Sequence, residues 1–402
     1  MRVLTFTSLF PSVARPTHGI FVETRLRQLL TLGSIESRVI APVPHVPLFN
    51  SRFGYYAGCA STPTEETRDG IKVVYPRYPV VPGIGIVLSP FSMAFAAATA
   101  LRQLRADGFR FDLIDAHYFY PDGVAAALLA RHFNCPFVVT ARGTDINLHA
   151  REFKTRSLVL WAARRASTVI TVSGSLERAA VDAGIDPCKI VVLRNGVDTD
   201  RFRPLDRDSV RRRLSLGGTV LLCVGNLVPE KGQDIVLKAL TAIEGATLLF
   251  AGDGPQREIL KRTATELGVS DRVRFLGMLD QAALVEYYNA ADLLVLASSR
   301  EGWPNVLLES MACGTPAIAA NVGGCSEVIS TPAAGLLLPE RSPESIAQSV
   351  HKRMRERTSR EATRRHAEAY GWGPTSQGQL EVFRRTLAAD GDLRASRAVG
   401  TC

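Results

Sequence analysis

The chain has little that would mark it as a stapled or metal-built module. Its seven cysteines, at 59, 135, 188, 223, 313, 325 and 402, contain no Cys-x-x-Cys pair, and no histidine stands at zinc-ligand spacing. An odd, unpatterned set suits a reducing compartment, with most thiols acting as small buried apolar residues. A disulfide scaffold and a structural zinc module are thereby excluded. Aromatic residues make up only 7% of the chain and few stand near its motifs. The basic residues are therefore not interleaved with stacking rings, which disfavours a nucleic-acid binder. Internal repeats and low-complexity runs are missing too.

Long charge-free runs are equally scarce. The one example, Val80 to Leu101, is long enough to cross a bilayer. Pro82, Gly83, Gly85, Ser89 and Pro90 interrupt its first half, which a spanning helix tolerates poorly. The pattern predicts an apolar loop and then an amphipathic helix over Phe91–Leu104, with Arg102 and Arg105 at its end, that touches a membrane surface. A plain core helix fits the same pattern. At the N-terminus, Met1-Arg2 precede a short apolar run broken by Thr5, Thr7 and Ser8, which reads as a buried first strand rather than a signal peptide.

What is present is an ordinary folded composition: 402 residues, 46% hydrophobic and 22% charged. At about 100–200 residues per domain that length predicts two domains. Basic side chains outnumber acidic ones by 48 to 39, and the excess sits mostly in residues 1–198, with 22 basic and 15 acidic. A basic first half suggests an anionic partner there, such as a membrane surface.

Short β-branched runs alternate with helical periodicity along the whole chain. Arg2–Thr7, Ser37–Ala41, Leu113–Ala116, Phe137–Thr140, Thr168–Val172 and Ile190–Leu193 read as strands in the first half, separated by helices such as Ile20–Leu32 and Gly123–His132. Val220–Val224, Thr247–Ala251, Val273–Leu276, Leu293–Leu296 and Ala317–Ala319 do so in the second, with helices such as Gln256–Leu267 and Val306–Ala312. Such alternation means parallel sheets with helices on both faces, an α/β fold of two doubly wound domains. The pattern restarts near residue 219 after a polar stretch, Asp198 to Arg213. The expected division is 1–198, 199–370 and a C-terminal helix with a loose tail over 371–402. Doubly wound domains hold ligands at the carboxyl ends of their strands, here in a cleft between the two.

Five segments fall at such ends. Pro16 to Phe21 places Gly19 at a helix entrance, where backbone N–H groups can meet a phosphate. Asp115-Ala116-His117 and Ala141-Arg142-Gly143-Thr144-Asp145 follow apolar strands. Gly225-Asn226-Leu227-Val228-Pro229-Glu230-Lys231-Gly232 puts a lysine just ahead of a helix, unfavourable against the helix dipole unless an anion sits between them. Ala251-Gly252-Asp253-Gly254-Pro255 is a strand-to-helix glycine turn without the full dinucleotide fingerprint or a Gly-Lys-Ser/Thr ending, so neither an NAD enzyme nor an ordinary ATPase is indicated. In Ser298 to Glu309, Pro304 suits the first turn of a helix. Glu301 and Glu309 stand eight apart across that entry. A buried Glu309 needs donors, and the paired hydroxyls of a ribose would supply two.

The Glu301-x7-Glu309 string resembles the donor-site signature of retaining GT-B glycosyltransferases of glycosyltransferase family 4. Asn195-Gly196-Val197-Asp198, Gly225 to Gly232, Ala251 to Pro255, Met311 to Pro316, Gly323-Gly324 and Glu327 match that family in order, over essentially the whole chain. The opening, Thr5 to Glu23, resembles bacterial polysaccharide-assembly members of the teichuronic-acid type. The resemblance implies two Rossmann-like domains facing across a cleft: an acceptor-side N-terminal domain and a C-terminal domain for the nucleotide sugar. It implies that Gly19 and Lys231 meet the donor diphosphate and that Glu309 holds the ribose. Asn305 and Val306 would give backbone contacts, Glu301 and Gly302 would face the transferred sugar, and His117 would hydrogen-bond it. Arg142, Asp145, Asn195, Asn226, Gly252 and Gly254 complete the implied donor site. Where the family often has Arg, this chain has Asn226, so that Arg142, Arg194 or Arg300 would have to supply the second cation.

The implied reaction is transfer of a hexosyl or N-acetylhexosaminyl group from a UDP- or GDP-linked donor to a lipid-linked or saccharide acceptor. The expected setting is cell-surface polysaccharide biosynthesis at the inner face of the cytoplasmic membrane. Neither a cofactor nor a bound metal is required. A nucleotide-sugar epimerase of the same fold and a non-catalytic sugar-nucleotide binder are the rival readings.

Overall fold

A computed structural model describes residues 1–45, 58–80, 85–356 and 358–399, the stretch 393–399 by its backbone alone. Two compact units divide the chain, one formed by Met1–Arg194 with the segment from Gly373 onward, the other by Asn195–Trp372.

The first unit holds β1 (Arg2–Phe6), β2 (Glu36–Ile40), β3 (Val43–His45), β4 (Glu65–Arg68), β5 (Ile71–Val74), β6 (Arg77–Pro79), β7 (Leu113–His117), β8 (Phe137–Ala141), β9 (Thr168–Thr171) and β10 (Ile190–Val192). Eight of them form one sheet in the order β10-β9-β8-β7-β1-β2-β5-β4, while β3 and β6 pair separately. Among the described residues, only β4 runs antiparallel within the large sheet. The second unit contributes β11 (Thr219–Val224), β12 (Ala246–Ala251), β13 (Val273–Gly277), β14 (Leu293–Leu296), β15 (Ala317–Ala320) and β16 (Gly335–Leu338). These form an all-parallel sheet in the order β13-β12-β11-β14-β15-β16.

Both sheets are covered by helices, which is why central strands such as Val220–Cys223 and Ala317–Ala320 are apolar without alternation. In the first unit, Leu29 of the helix Ile20–Leu30 and Leu380 and Phe383 of the helix Trp372–Val399 pack on Val3, Leu113, Val138 and Ile170. In the second, Val236, Leu260 and Ile346 close over Leu248, Phe250, Val295 and Ile318. The winding reverses between β1 and β7 in one sheet and between β11 and β14 in the other. The loops leaving those strands diverge to opposite faces and leave a crevice, the usual ligand position in such sheets.

The structure departs from the sequence expectations in three places. The polar stretch from Asp198 is no linker, since the chain changes unit at Arg194/Asn195. Its helix Arg207–Arg213 is fastened to the second sheet by Arg207 and by Arg211, which lies 2.6 Å from Asp292. Residues from Gly373 belong to the first unit, and the backbone is helical to Val399 where a loose tail was expected.

The third departure is the helix over Gly85–Ala106, which starts ahead of the predicted Phe91 and contains Pro90; residues 81–84 of the expected loop lie outside the described residues. Pro90 has no N–H to give the carbonyl of Ile86, one turn back. The Tyr120 hydroxyl donates to that carbonyl instead. Tyr120→Phe therefore should lower stability to urea by about 1–2 kcal/mol. Adding Pro90→Ala, which restores an N–H, should recover most of it; no recovery would mean that Tyr120 acts through packing alone.

Candidate active site

In the second unit the loop after β11 and the loop after β14 meet at the reversal of winding. Lys231 ends a short 3-10 turn, Pro229–Lys231, ahead of the helix Gln233–Ala239. Its Nζ lies 2.6 Å from Oε1 of Glu301. The neighbouring residues pair across the same two loops with the charges exchanged, Arg300 lying 3.0 Å from Glu230. The Ser299 N–H donates to the Glu230 carbonyl at 2.7 Å. The anion expected beside Lys231 is thus in part supplied by the chain itself. Glu301 is largely enclosed and Lys231 less so, with side chains 10% and 30% exposed. The ammonium has three donors and spends one on Glu301.

Backbone approach fixes this edge. A Cβ on Gly252 would stand 2.0 Å from the Gly225 carbonyl, and one on Gly254 2.5 Å from that of Leu227. Here the two glycines serve contact between the loops after β11 and β12. Gly323 has φ 53° and its Cβ would fall 1.9 Å from the Glu301 carbonyl, so the Gly323-Gly324 turn seats Glu301. Asn226 is exposed, its carbonyl accepting from Gln233 Nε2 at 2.9 Å. Of the three cations considered for its missing partner, Arg300 is held by Glu230, and Arg142 and Arg194 belong to the first unit.

Glu309 lies in the helix Asn305–Ala312, whose Leu307 and Leu308 face the core. Its Oε2 accepts from the Tyr288 hydroxyl at 2.8 Å. Burial pushes its carboxyl up to about 7, against the pull of Tyr288 and Arg201. Tyr288 is held in turn by Thr315, whose hydroxyl donates to the Tyr288 carbonyl at 2.6 Å. Thr315 belongs to the Met311–Pro316 string, but Tyr288 was not legible in the sequence, since it sits in a helix with no motif of its own. Asn195, buried, donates from Nδ2 to Oδ1 of Asn305 at 3.2 Å. Gly302 is buried and Val306 partly exposed at the start of the same helix.

In the first unit Gly19 caps the helix Ile20–Leu30 with φ 70°, and a Cβ there would meet the Leu9 carbonyl carbon at 2.2 Å. The loop ahead of it is braced through Ser8, whose carbonyl accepts from His18 Nε2 at 3.0 Å. The Ser8 N–H and hydroxyl both donate to the buried Asp122. Burial raises the Asp122 carboxyl to about 7 despite these donors.

His117 ends β7 but is not presented to a ligand. Arg142 donates to its Nδ1 at 2.6 Å, so Nε2 carries the proton and donates to Asp115 Oδ2 at 3.1 Å. That oxygen also accepts from Gln379 Nε2 at 2.8 Å, and Arg25 Nε donates to Gln379 Oε1 at 2.6 Å. Burial, opposed in part by Asp115, lowers the His117 pKa and keeps the ring neutral. The expected hydrogen bond from His117 to a sugar is therefore not available in this structure. Asp145 differs from expectation in the same way. It is fully buried and accepts from the backbone N–H groups of Phe119, Arg142, Gly143 and Ile146 at 2.7–3.1 Å, which makes it the organiser of its loop.

Two doubly wound units are the architecture of a GT-B glycosyltransferase, and by its family-model matches and its relatives the chain belongs to glycosyltransferase family 4. The model of Glycosyltransferase Family 4 matches residues 37–201 and that of glycosyl transferases group 1 matches residues 206–370. The teichuronic acid biosynthesis glycosyltransferase TuaC of Bacillus subtilis is 31% identical over 87% of this chain and 88% of its own length. A D-inositol 3-phosphate glycosyltransferase of Frankia alni is 33% identical over 73% of this chain and 79% of its own. Among solved structures, sucrose-phosphate synthase from Thermosynechococcus elongatus has a TM-score of 0.80 at 21% identity, covering 96% of this chain and 99% of that one. Anabaena HepE with UDP and glucose has a TM-score of 0.73 at 20% identity, covering 96% and 100%.

Removing one member of the Lys231–Glu301 pair leaves the other without its charge. Lys231→Met should destabilise the protein by about 1–2 kcal/mol in urea unfolding, and Glu301→Gln added to it should return most of that loss. Additive losses in the double variant would mean that the two charges are not coupled.

Proposed function

We propose that the chain transfers a sugar, with retention of anomeric configuration, from a nucleotide-diphosphate donor to a lipid-linked or saccharide acceptor during cell-surface polysaccharide biosynthesis. The observation that carries this reading is the Lys231–Glu301 pair at the switch point, 2.6 Å apart and still open to solvent on the lysine. Two ammonium donors remain for diphosphate oxygens, and the second Glu301 oxygen is left for hydroxyls of the sugar. Glu309 gives one oxygen to Tyr288 and its other to a ribose hydroxyl. The barrier is departure of the diphosphate from an oxocarbenium-like carbon, so the charge developing on the leaving oxygen is what Lys231 stabilises.

With Glu301 committed to Lys231, a front-face displacement fits best. The bond from the anomeric carbon to the phosphate oxygen breaks as the acceptor oxygen bonds from the same side, and the departing phosphate takes the acceptor's proton. The likeness to TuaC supports a polysaccharide acceptor, and HepE, solved with UDP and with UDP-glucose, supports a nucleotide sugar as donor. An acceptor carried on lipid would be met at the cytoplasmic face of the membrane.

Nucleotide release from a panel of UDP- and GDP-sugars, with a membrane lipid extract as acceptor, tests the reading. One donor should release nucleotide in an extract-dependent way, and Lys231→Ala should lower that rate about 100-fold or more. Donor binding without release in the presence of extract would favour a non-catalytic binder. A second expectation concerns pH. A Glu309 carboxyl titrating at about 7 accepts a ribose hydroxyl when ionised above that pH and loses this ability below it. Affinity for the nucleotide should therefore fall by up to about tenfold from pH 8 to pH 6. In Glu309→Gln that part of the pH dependence should vanish; an unchanged profile would remove Glu309 from the ribose.

A further inference from the structure

The helix Gly85–Ala106 carries an apolar stripe on its outer side. Leu88, Phe91 and Phe95 recur at three- and four-residue spacing and so share one face. They are 45%, 46% and 82% exposed. Toward the C-terminal end of the same helix, Arg102 and Arg105 are exposed in their turn. A second bare ring stands at the start of the helix Phe153–Arg165, where Phe153 is 97% exposed. Arg151 and Lys154 flank it, both exposed, while the intervening Glu152 is turned onto His149 at 3.3 Å.

The two helix starts are joined by Tyr120. Its hydroxyl donates to the Ile86 carbonyl and its ring lies 5.2 Å from that of His149. The His149 carbonyl in turn accepts from Thr155 Oγ1 at 2.6 Å. The two helices that carry the exposed rings therefore share one support. Isolated apolar residues on a surface need no explanation, but aromatic rings bared on two joined elements do. Rings set among arginines and lysines match the headgroup region of an acidic bilayer, with an apolar layer beneath a plane of phosphates. A second copy of this chain would bring the same basic rim against itself and be repelled.

We propose that this face of the first unit docks on an anionic lipid surface. Phe91, Phe95 and Phe153 enter the boundary between headgroups and acyl chains, while Arg102, Arg151 and Lys154 meet lipid phosphates. The inference gives a location to the membrane-side acceptor proposed above and rests on that reading for its purpose, though not for its observations.

Co-sedimentation of the full chain with vesicles of phosphatidylcholine, alone or mixed with phosphatidylglycerol, tests it. Binding should require the anionic lipid and weaken with added salt. Phe91→Ser/Phe95→Ser/Phe153→Ser should weaken it by at least about tenfold while leaving nucleotide affinity unchanged. Wild-type binding by this variant, or no binding of the native protein to anionic vesicles, would overturn the proposal. So would a native dimer, seen by analytical ultracentrifugation, that the variant abolishes, which would assign the patch to self-association. Nucleotide release assayed with a detergent-dispersed acceptor keeps the two readings apart. Release without vesicle binding would remove only the lipid surface, and vesicle binding without release would remove only the transferase.

Discussion

Everything at the edge of the second sheet depends on backbones lying closer together than side chains would allow. The Gly225 carbonyl occupies the place of a Cβ on Gly252, and the Glu301 carbonyl that of a Cβ on Gly323. Because these contacts are between main chains, they set the loops after β11, β12 and β14 at fixed heights above their strands. The Lys231–Glu301 pair is a result of that spacing. A 2.6 Å contact between side chains seventy positions apart in the chain costs little to hold when both loops are already fixed, and it leaves the ammonium poised for a second anion.

The first unit solves a different problem. Its sheet sets a buried arginine, Arg25, and a half-buried one, Arg142, against one carboxylate, Asp115, and one neutral histidine, with Gln379 bridging. Burial drives both guanidinium pKa values down, that of Arg25 to about 10, and the Arg25 charge lowers that of Arg142 further. Such a cluster is expensive unless each member is hydrogen-bonded, and its contacts are correspondingly short. It also explains the position of His117. A histidine at the end of a central strand is where a ligand contact was expected, but its two nitrogens complete the cluster.

The architecture was legible in the sequence wherever hydrophobic period carried it. The six strands read in the first half, and the helices over 20–32 and 123–132, stand within one or two residues of the observed elements. The short strands Glu65–Arg68, Ile71–Val74 and Arg77–Pro79 were not, because strands of three or four residues have too few apolar positions to show a period. In the candidate site, Lys231 and Glu301 could be singled out because charged groups interrupt apolar strand ends, and Glu309 because it stands eight residues on in the same string. Tyr288, Gln379 and Arg25 could not, since each acts through a partner distant in sequence. Asp145 was misread for the opposite reason: a strand-end carboxylate looks the same in a sequence whether it faces a ligand or four N–H groups of its own loop.

Gln379 gives the chain order a meaning of its own. The buried cluster around Asp115 is closed by a residue that leaves the ribosome after the entire second unit. The N-terminal half thus emerges with its charged interior still open and must wait in that state while nearly two hundred further residues are made. The last helix then acts as a seal, and the half of the protein synthesised first is the half completed last.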